Sequence, residues 1–191
     1  MTLHSIMEIS KSIYITDKKE WRSWLKKKGS KEKEIWLVYY RKDSEKPRIP
    51  YNDAVNEALC YGWIDSTVKT IDKESFAQRF TPRRPTSHLS EMNKERVRRL
   101  IKQRKMTKKG LKAIIHAYDP EENFVIPNYV ITELKKDPQV WKNFQNFSEG
   151  YKRVRLGYII SQKRHGTQFY KRALTHFIKM TKKNKKFGMI R

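Results

Sequence analysis

Residues 58–93 read ALCYGWIDSTVKTIDKESFAQRFTPRRPTSHLSEMN. Gly62 ends the helical pattern that leads into this stretch. Beyond it, residues 63–71 and 76–81 are rich in β-branched and aromatic side chains, with Asp72, Lys73, Glu74 and Ser75 between them, so the pair reads as a hairpin. In the second strand Phe76, Gln78 and Phe80 fall on one face and Ala77, Arg79 and Thr81 on the other. Pro82 and Pro85 end the sheet and stiffen a loop that carries Arg83 and Arg84. Ser90 is a natural N-cap for a helix bearing Val97, Leu100 and Ile101.

Toward the N-terminus, Pro50 opens a helix that runs to Cys60 with Val55, Ala58 and Leu59 at helical spacing. Residues 34–42, EIWLVYYRK, are a continuous apolar run, which is the pattern of a strand covered on both faces. Asp17 caps a helix to about residue 28, with Trp21, Trp24 and Leu25 on one side and Gly29 closing it. Toward the C-terminus, Thr107 caps a helix carrying Leu111, Ile114, Ile115 and Tyr118, stopped by Asp119 and Pro120. Residues 121–125 read as a linker.

Beyond the linker every pattern is helical. Helices start at Pro127, at Pro138 behind Asp137, at Ser148 or Glu149, and at Thr167. In the third, Tyr151, Val154, Tyr158 and Ile159 face inward. In the last, Phe169, Ala173, Leu174, Phe177 and Ile178 form the apolar stripe, and the KKNKK tail at 182–186 frays. The fold class expected is α+β, with a small antiparallel sheet flanked by helices in the N-terminal part and an all-helical C-terminal part. The division predicted is a mixed domain over 1–120 and a helical domain over 121–191.

Composition bounds the function classes. At 191 residues with 37% hydrophobic residues, the chain can bury a core without staples. The net charge is +24, and it is uneven: residues 101–191 hold 22 Lys and Arg against 6 Asp and Glu. Such a field favours polyanions, with a solvated lysine-rich surface as the alternative. A single cysteine, Cys60, excludes an intrachain disulfide and fits a reducing, cytoplasmic setting. The five histidines, His4, His88, His116, His165 and His176, are scattered, so no zinc-ligand spacing is present. Residues 1–16 lack the apolar core of a signal peptide, and no apolar run reaches about 18 residues, which excludes a spanning helix.

The segments YNDAVNEALCYGWIDS, QRFTPRRPTSHLSEMN, MTKKG and IPNYV, followed by the closing helical pair, resemble the YdeI/OmpD-associated family, the bacteriocin-protection proteins. The likeness runs from about residue 21 to residue 187, and its densest elements are ALC-x-GWID and RFTPRR. It implies a cytoplasmic α+β protein with an N-terminal mixed domain and a C-terminal helical domain, linked to tolerance of bacteriocins and antimicrobial peptides. It brings no reaction and no cofactor. Where the family has a Ser-x-Trp-Ser element this chain reads Ser87, His88, Leu89, Ser90, and the linker before Ile126 is shorter.

The ligand-binding candidates are Trp63, Asp65, Arg79, Phe80, Arg83, Arg84, Ser87, His88, Ser90 and Asn93. Asp65 can pair with a guanidinium of Arg79, Arg83 or Arg84 as a structural salt bridge, or leave one arginine to clamp a carboxylate or phosphate beside the hydroxyls of the loop. Trp63 and Phe80 read as core or as a stacking platform. Cys60 sits at a helix C-terminus, whose negative end opposes thiolate formation. His88 is the histidine best placed for proton transfer. Glycine-rich phosphate loops, GxSxG, HExxH and paired carboxylates are missing from the sequence, so no catalytic residue, metal or cofactor is assigned. The function expected is a binding module for a small anionic ligand, with non-specific nucleic-acid binding by the basic C-terminal helices, or an enzyme of unrecognised type, as the alternatives.

Overall fold

The computed structural model describes Ile9 and residues 11–188; His4 and most of the 1–16 lead lie outside them. The chain forms two compact units, residues 1–87 with 99–117, and residues 88–98 with 118–191. The class is α+β.

The first unit is built on a four-stranded sheet in the order β1 (Ser12–Tyr14), β2 (Ile35–Tyr40), β4 (Ser75–Pro82), β3 (Trp63–Thr70). The three strands read from the sequence pair antiparallel, as expected. The short lead adds a fourth that runs parallel to β2, so the sheet is mixed. A parallel neighbour needs a crossover, and α1 (Lys18–Lys28) supplies it between β1 and β2. Asp17 starts that helix by accepting from the N–H groups of Lys19 and Glu20.

The alternation of β2 sends Ile35, Leu37 and Tyr39 into a core with Trp21 and Leu25 of α1 and Ala54, Val55 and Ala58 of α2 (Tyr51–Cys60). Trp36, on the opposite face, is equally buried, which accounts for the unbroken apolar run of this strand. Both core indoles find acceptors, Trp21 Nε1 donating to Ala54 O at 3.0 Å and Trp63 Nε1 to Gly29 O at 3.2 Å. Between Asp65 and Val68 the β3–β4 register shifts, and the buried Gln78 amide fills the irregularity by donating to Ser66 O (3.1 Å) and Thr67 O (3.3 Å).

The helix expected from Thr107 to Tyr118 is shorter. Thr107 Oγ1 accepts from Gly110 N–H and donates to Cys60 O, but α4 covers only Lys108–Lys112. After it the backbone turns by i to i+3 bonds, from Ile114 N–H to Leu111 O and from Ala117 N–H to Ile114 O. Leu111 stays 40% and Ile115 78% exposed, so burial does not reward a longer helix here.

The second unit holds the first turns of α3 (Glu91–Lys102), then α5 (Asn128–Lys135), α6 (Pro138–Gln145), α7 (Glu149–Ser161) and α8 (Thr167–Lys182). Among the described residues it contains no strand. Val130, Leu134, Val140, Phe144, Phe147, Tyr151, Leu156, Ile159, Leu174 and Phe177 form its core. Gly150 and Gly157 let α7 lie close to α3: a Cβ on Gly157 would sit 2.6 Å from Glu91 Cγ. Lys94, nearly buried, joins Glu91 to Glu122 and so ties the 121–125 linker to α3. Two expected inward residues turn out: Tyr158 is 53% and Phe169 42% exposed. The basic tail is tied down by a bond from Phe187 N–H to Tyr151 Oη (3.2 Å) and packs Phe187 against His176.

Candidate functional site

Trp63 and Phe80 belong to the core. Their exposures are 1% and 0%, Trp63 meets Trp24 edge-on and Phe80 meets Trp21, so neither ring offers a face to a ligand. Trp63 of β3 and Phe80 of β4 thus both pack against the indoles of α1.

Asp65 and Arg79 do not pair. Asp65 stands opposite Phe80 in the β3–β4 register, which places Arg79, one residue on, on the other face. Arg79 donates there to Glu34 Oε2 through Nε at 2.9 Å and through Nη2, while Glu34 Oε1 accepts from Trp36 Nε1. Asp65 accepts from the Tyr51 hydroxyl at 2.6 Å. A single network joining Asp65 to all three arginines is therefore not formed. Glu34 and Tyr51 were missed because each meets its partner through tertiary structure alone, at separations of 45 and 14 residues.

Arg83 is the arginine that feels Asp65. It is 7% exposed, its backbone N–H donates to Gly62 O at 2.8 Å, and its Nη2 reaches Ser87 O at 3.4 Å. Burial pushes the guanidinium's pKa below its usual range, and the Asp65 charge offsets this only in part. Arg84, next to it, is exposed, and its side chain makes no hydrogen bond or ion pair among the described residues. The intervening geometry is a β-turn with Pro85 at its second position: Ser87 N–H donates to Arg84 O at 3.0 Å and Arg84 N–H to Ser87 Oγ at 3.1 Å. His116 Nε2 lies 3.1 Å from the same Ser87 carbonyl.

The remaining candidates belong to the second unit. His88 is exposed. Ser90 caps α3, its Oγ accepting from Asn93 N–H at 3.3 Å and its carbonyl from Lys94 N–H. Asn93 Oδ1 accepts from Arg96 at 2.9 Å. The ten candidates thus divide into core (Trp63, Phe80), a strand ion pair (Arg79), helix N-terminal bonding (Ser90, Asn93), an exposed residue of the second unit (His88) and a cluster in the first unit: Asp65, Arg83, Arg84 and Ser87. Tyr39 lies near that cluster, its pKa pushed far up by burial and then by Tyr51 and Asp65. Its buried hydroxyl has no hydrogen-bond partner among the described residues.

Cys60 is fully buried, and burial, followed by the charge of Glu57, raises its thiol pKa, the opposite of what a nucleophile needs. Among the described residues no group of three or more His, Cys, Asp or Glu could hold a metal ion, and no helix is long and apolar enough to cross a membrane.

No curated protein and no solved structure matches the chain. Two family models do. Residues 123–184 match the family described as "Bacteriocin-protection, YdeI or OmpD-Associated", so that resemblance is carried by the helical C-terminal segment. The ALC-x-GWID and RFTPRR motifs fall in the other match, residues 13–113, which covers more than half of the sequence. The chain therefore belongs to the family described as "Domain of unknown function (DUF8412)" and carries behind it a segment that matches the YdeI/OmpD-associated model.

Proposed function

We propose that the protein is a cytoplasmic binding module of the bacteriocin-protection type, whose loop 82–90 holds a small anion through Arg83 and Arg84. The observation that carries this reading is the Arg84 guanidinium, exposed and unengaged on a turn closed by Ser87, beside an Arg83 whose buried charge Asp65 offsets only in part. An anion there gains two donors of fork geometry on a preorganised turn and relieves the desolvated cation. Tyr51 holds the opposing carboxylate in place. The cytoplasmic setting rests on the lone, buried thiol. The bacteriocin-protection role comes from the C-terminal family match alone.

Calorimetric titration with phosphate, sulfate and a nucleoside monophosphate tests the site. Wild type binds at least one of them at millimolar concentration or better, and Arg84→Ala loses about tenfold or more, equivalent to about 1.4 kcal/mol. Arg84 is exposed, so the variant folds and the loss is one of binding. Absence of heat with all three ligands, or equal heat from Arg84→Ala, rejects the reading.

A further inference from the structure

From residue 150 to residue 191 the sequence contains 13 Lys and Arg and no Asp or Glu. Among the described residues of this stretch only Lys152 and Lys182 are in ion pairs, with Glu149 and Asp137. Lys163, Arg164, Lys171, Arg172, Lys179, Lys183, Lys185 and Lys186 are exposed, and Arg155 lies over the rings of Tyr158 and Phe187. Lys163 Nζ sits 3.6 Å from the centroid of Tyr129 and 4.9 Å from that of Tyr170.

On α8 the pattern is ordered. Leu174, Phe177 and Thr181 are buried, which spends the apolar face of the helix on the core of its own unit. The opposite stripe, at steps of three and four residues, presents Phe169, Arg172, His176, Lys179 and Lys183, all exposed. One such group appears at each turn of about 5.4 Å. An exposed aromatic thus heads a line of three cations, Arg172, Lys179 and Lys183, with an imidazole and no carboxylate among them.

We propose that this stripe binds single-stranded nucleic acid, independently of the anion site in the first unit. Cations spaced along one line follow a phosphate backbone, and an exposed ring beside them stacks an unpaired base whatever its identity. A duplex keeps its base faces covered and gains nothing from Phe169. A membrane surface requires an apolar face free to enter it, and that of α8 is buried. The contact is sequence-tolerant, since the stripe holds no side-chain pattern for reading base edges.

The test is fluorescence anisotropy on the full chain with a labelled oligo(dT) of about 20 nucleotides, a duplex of the same length and phosphatidylserine vesicles. Wild type binds oligo(dT) more tightly than the duplex. With about four phosphates neutralised, affinity falls about 50-fold between about 50 and 200 mM salt. R172E/K179E/K183E flattens the salt dependence and abolishes most of the binding, with helix content checked by circular dichroism. Phe169→Ala weakens oligo(dT) about fivefold or more and leaves the duplex unchanged. Oligo(dT) affinity indifferent to the triple variant, equal binding of the duplex with no effect of Phe169→Ala, or vesicle binding without oligo(dT) binding each overturns the proposal.

Discussion

Asp65→Asn should make the protein less stable and a better anion binder at once. The carboxylate accepts the Tyr51 hydroxyl at 2.6 Å and opposes the buried charge of Arg83. Asn has almost the same volume and keeps one acceptor oxygen, so packing survives and the change is electrical. A bond to a charged acceptor contributes about 1.5–3 kcal/mol and one to a neutral acceptor about 0.5–1.5 kcal/mol, so the difference is about 1 kcal/mol. Removing the offset to Arg83 adds a similar amount at most, because the Asp65 charge counters the burial of Arg83 only in part. The melting temperature of a chain this long then falls by roughly 2–8 °C. The same lost charge leaves the Arg83–Arg84 turn more positive, and phosphate affinity rises about two- to tenfold, as screening between aqueous and half-buried limits allows. Paired thermal melts and calorimetric titrations of wild type and Asp65→Asn read both effects. A purely structural turn gives the melting shift without the gain in affinity. An unchanged melt together with unchanged phosphate affinity would refute the reasoning.

Gly110→Ala places a Cβ 2.1 Å from the Cys60 carbonyl oxygen, a backbone atom that cannot step aside, so the overpacking cost of about 1–3 kcal/mol or more outweighs the helix-propensity gain of about 1 kcal/mol, and chemical denaturation should show a net loss. Cys60 has a raised pKa in the folded state, so its stabilising effect is complete below the unfolded value of about 8.5 and declines as pH rises through the folded one; Cys60→Ala should flatten the fall in stability on the alkaline side, and the native thiol should resist alkylation until the chain unfolds. Burial lowers the pKa of Lys94, but the hydrogen bonds it donates to Glu122 and Glu91 reverse the balance and raise it, so Lys94→Met should cost stability at neutral pH and remove the part of the alkaline loss that begins near pH ~10.5; hydrogen exchange across residues 121–125 should report the freed linker.

What the sequence made legible was what neighbours in the chain decide. Asp17, Thr107 and Asp137 cap the helices they precede because a cap bonds N–H groups two or three residues on. The hairpin at 63–81 and the doubly buried 35–40 strand show in the alternation and continuity of apolar side chains. The partner of Arg79 was missed because it is Glu34, 45 residues away and just ahead of β2, and only the sheet order brings the two together. Strand β1 is three residues long and gains its place from the α1 crossover rather than from its own composition. Tyr158 and Phe169 fit a helical apolar period yet face solvent, since periodicity gives a stripe but not its edges. In the candidate site, the proline-flanked turn at Arg84 was readable, whereas the Tyr51 bond to Asp65 depends on how α2 meets β3.

The most direct test of the anion site is residue-resolved: the arginine side-chain Nε–Hε resonances followed by nuclear magnetic resonance during phosphate titration at constant ionic strength. Arg83 and Arg84 should shift together and saturate with one dissociation constant, while Arg79, held by Glu34, stays in place. Uniform, unsaturated drifts of all arginines, or shifts at Arg79 without Arg83 and Arg84, would contradict it.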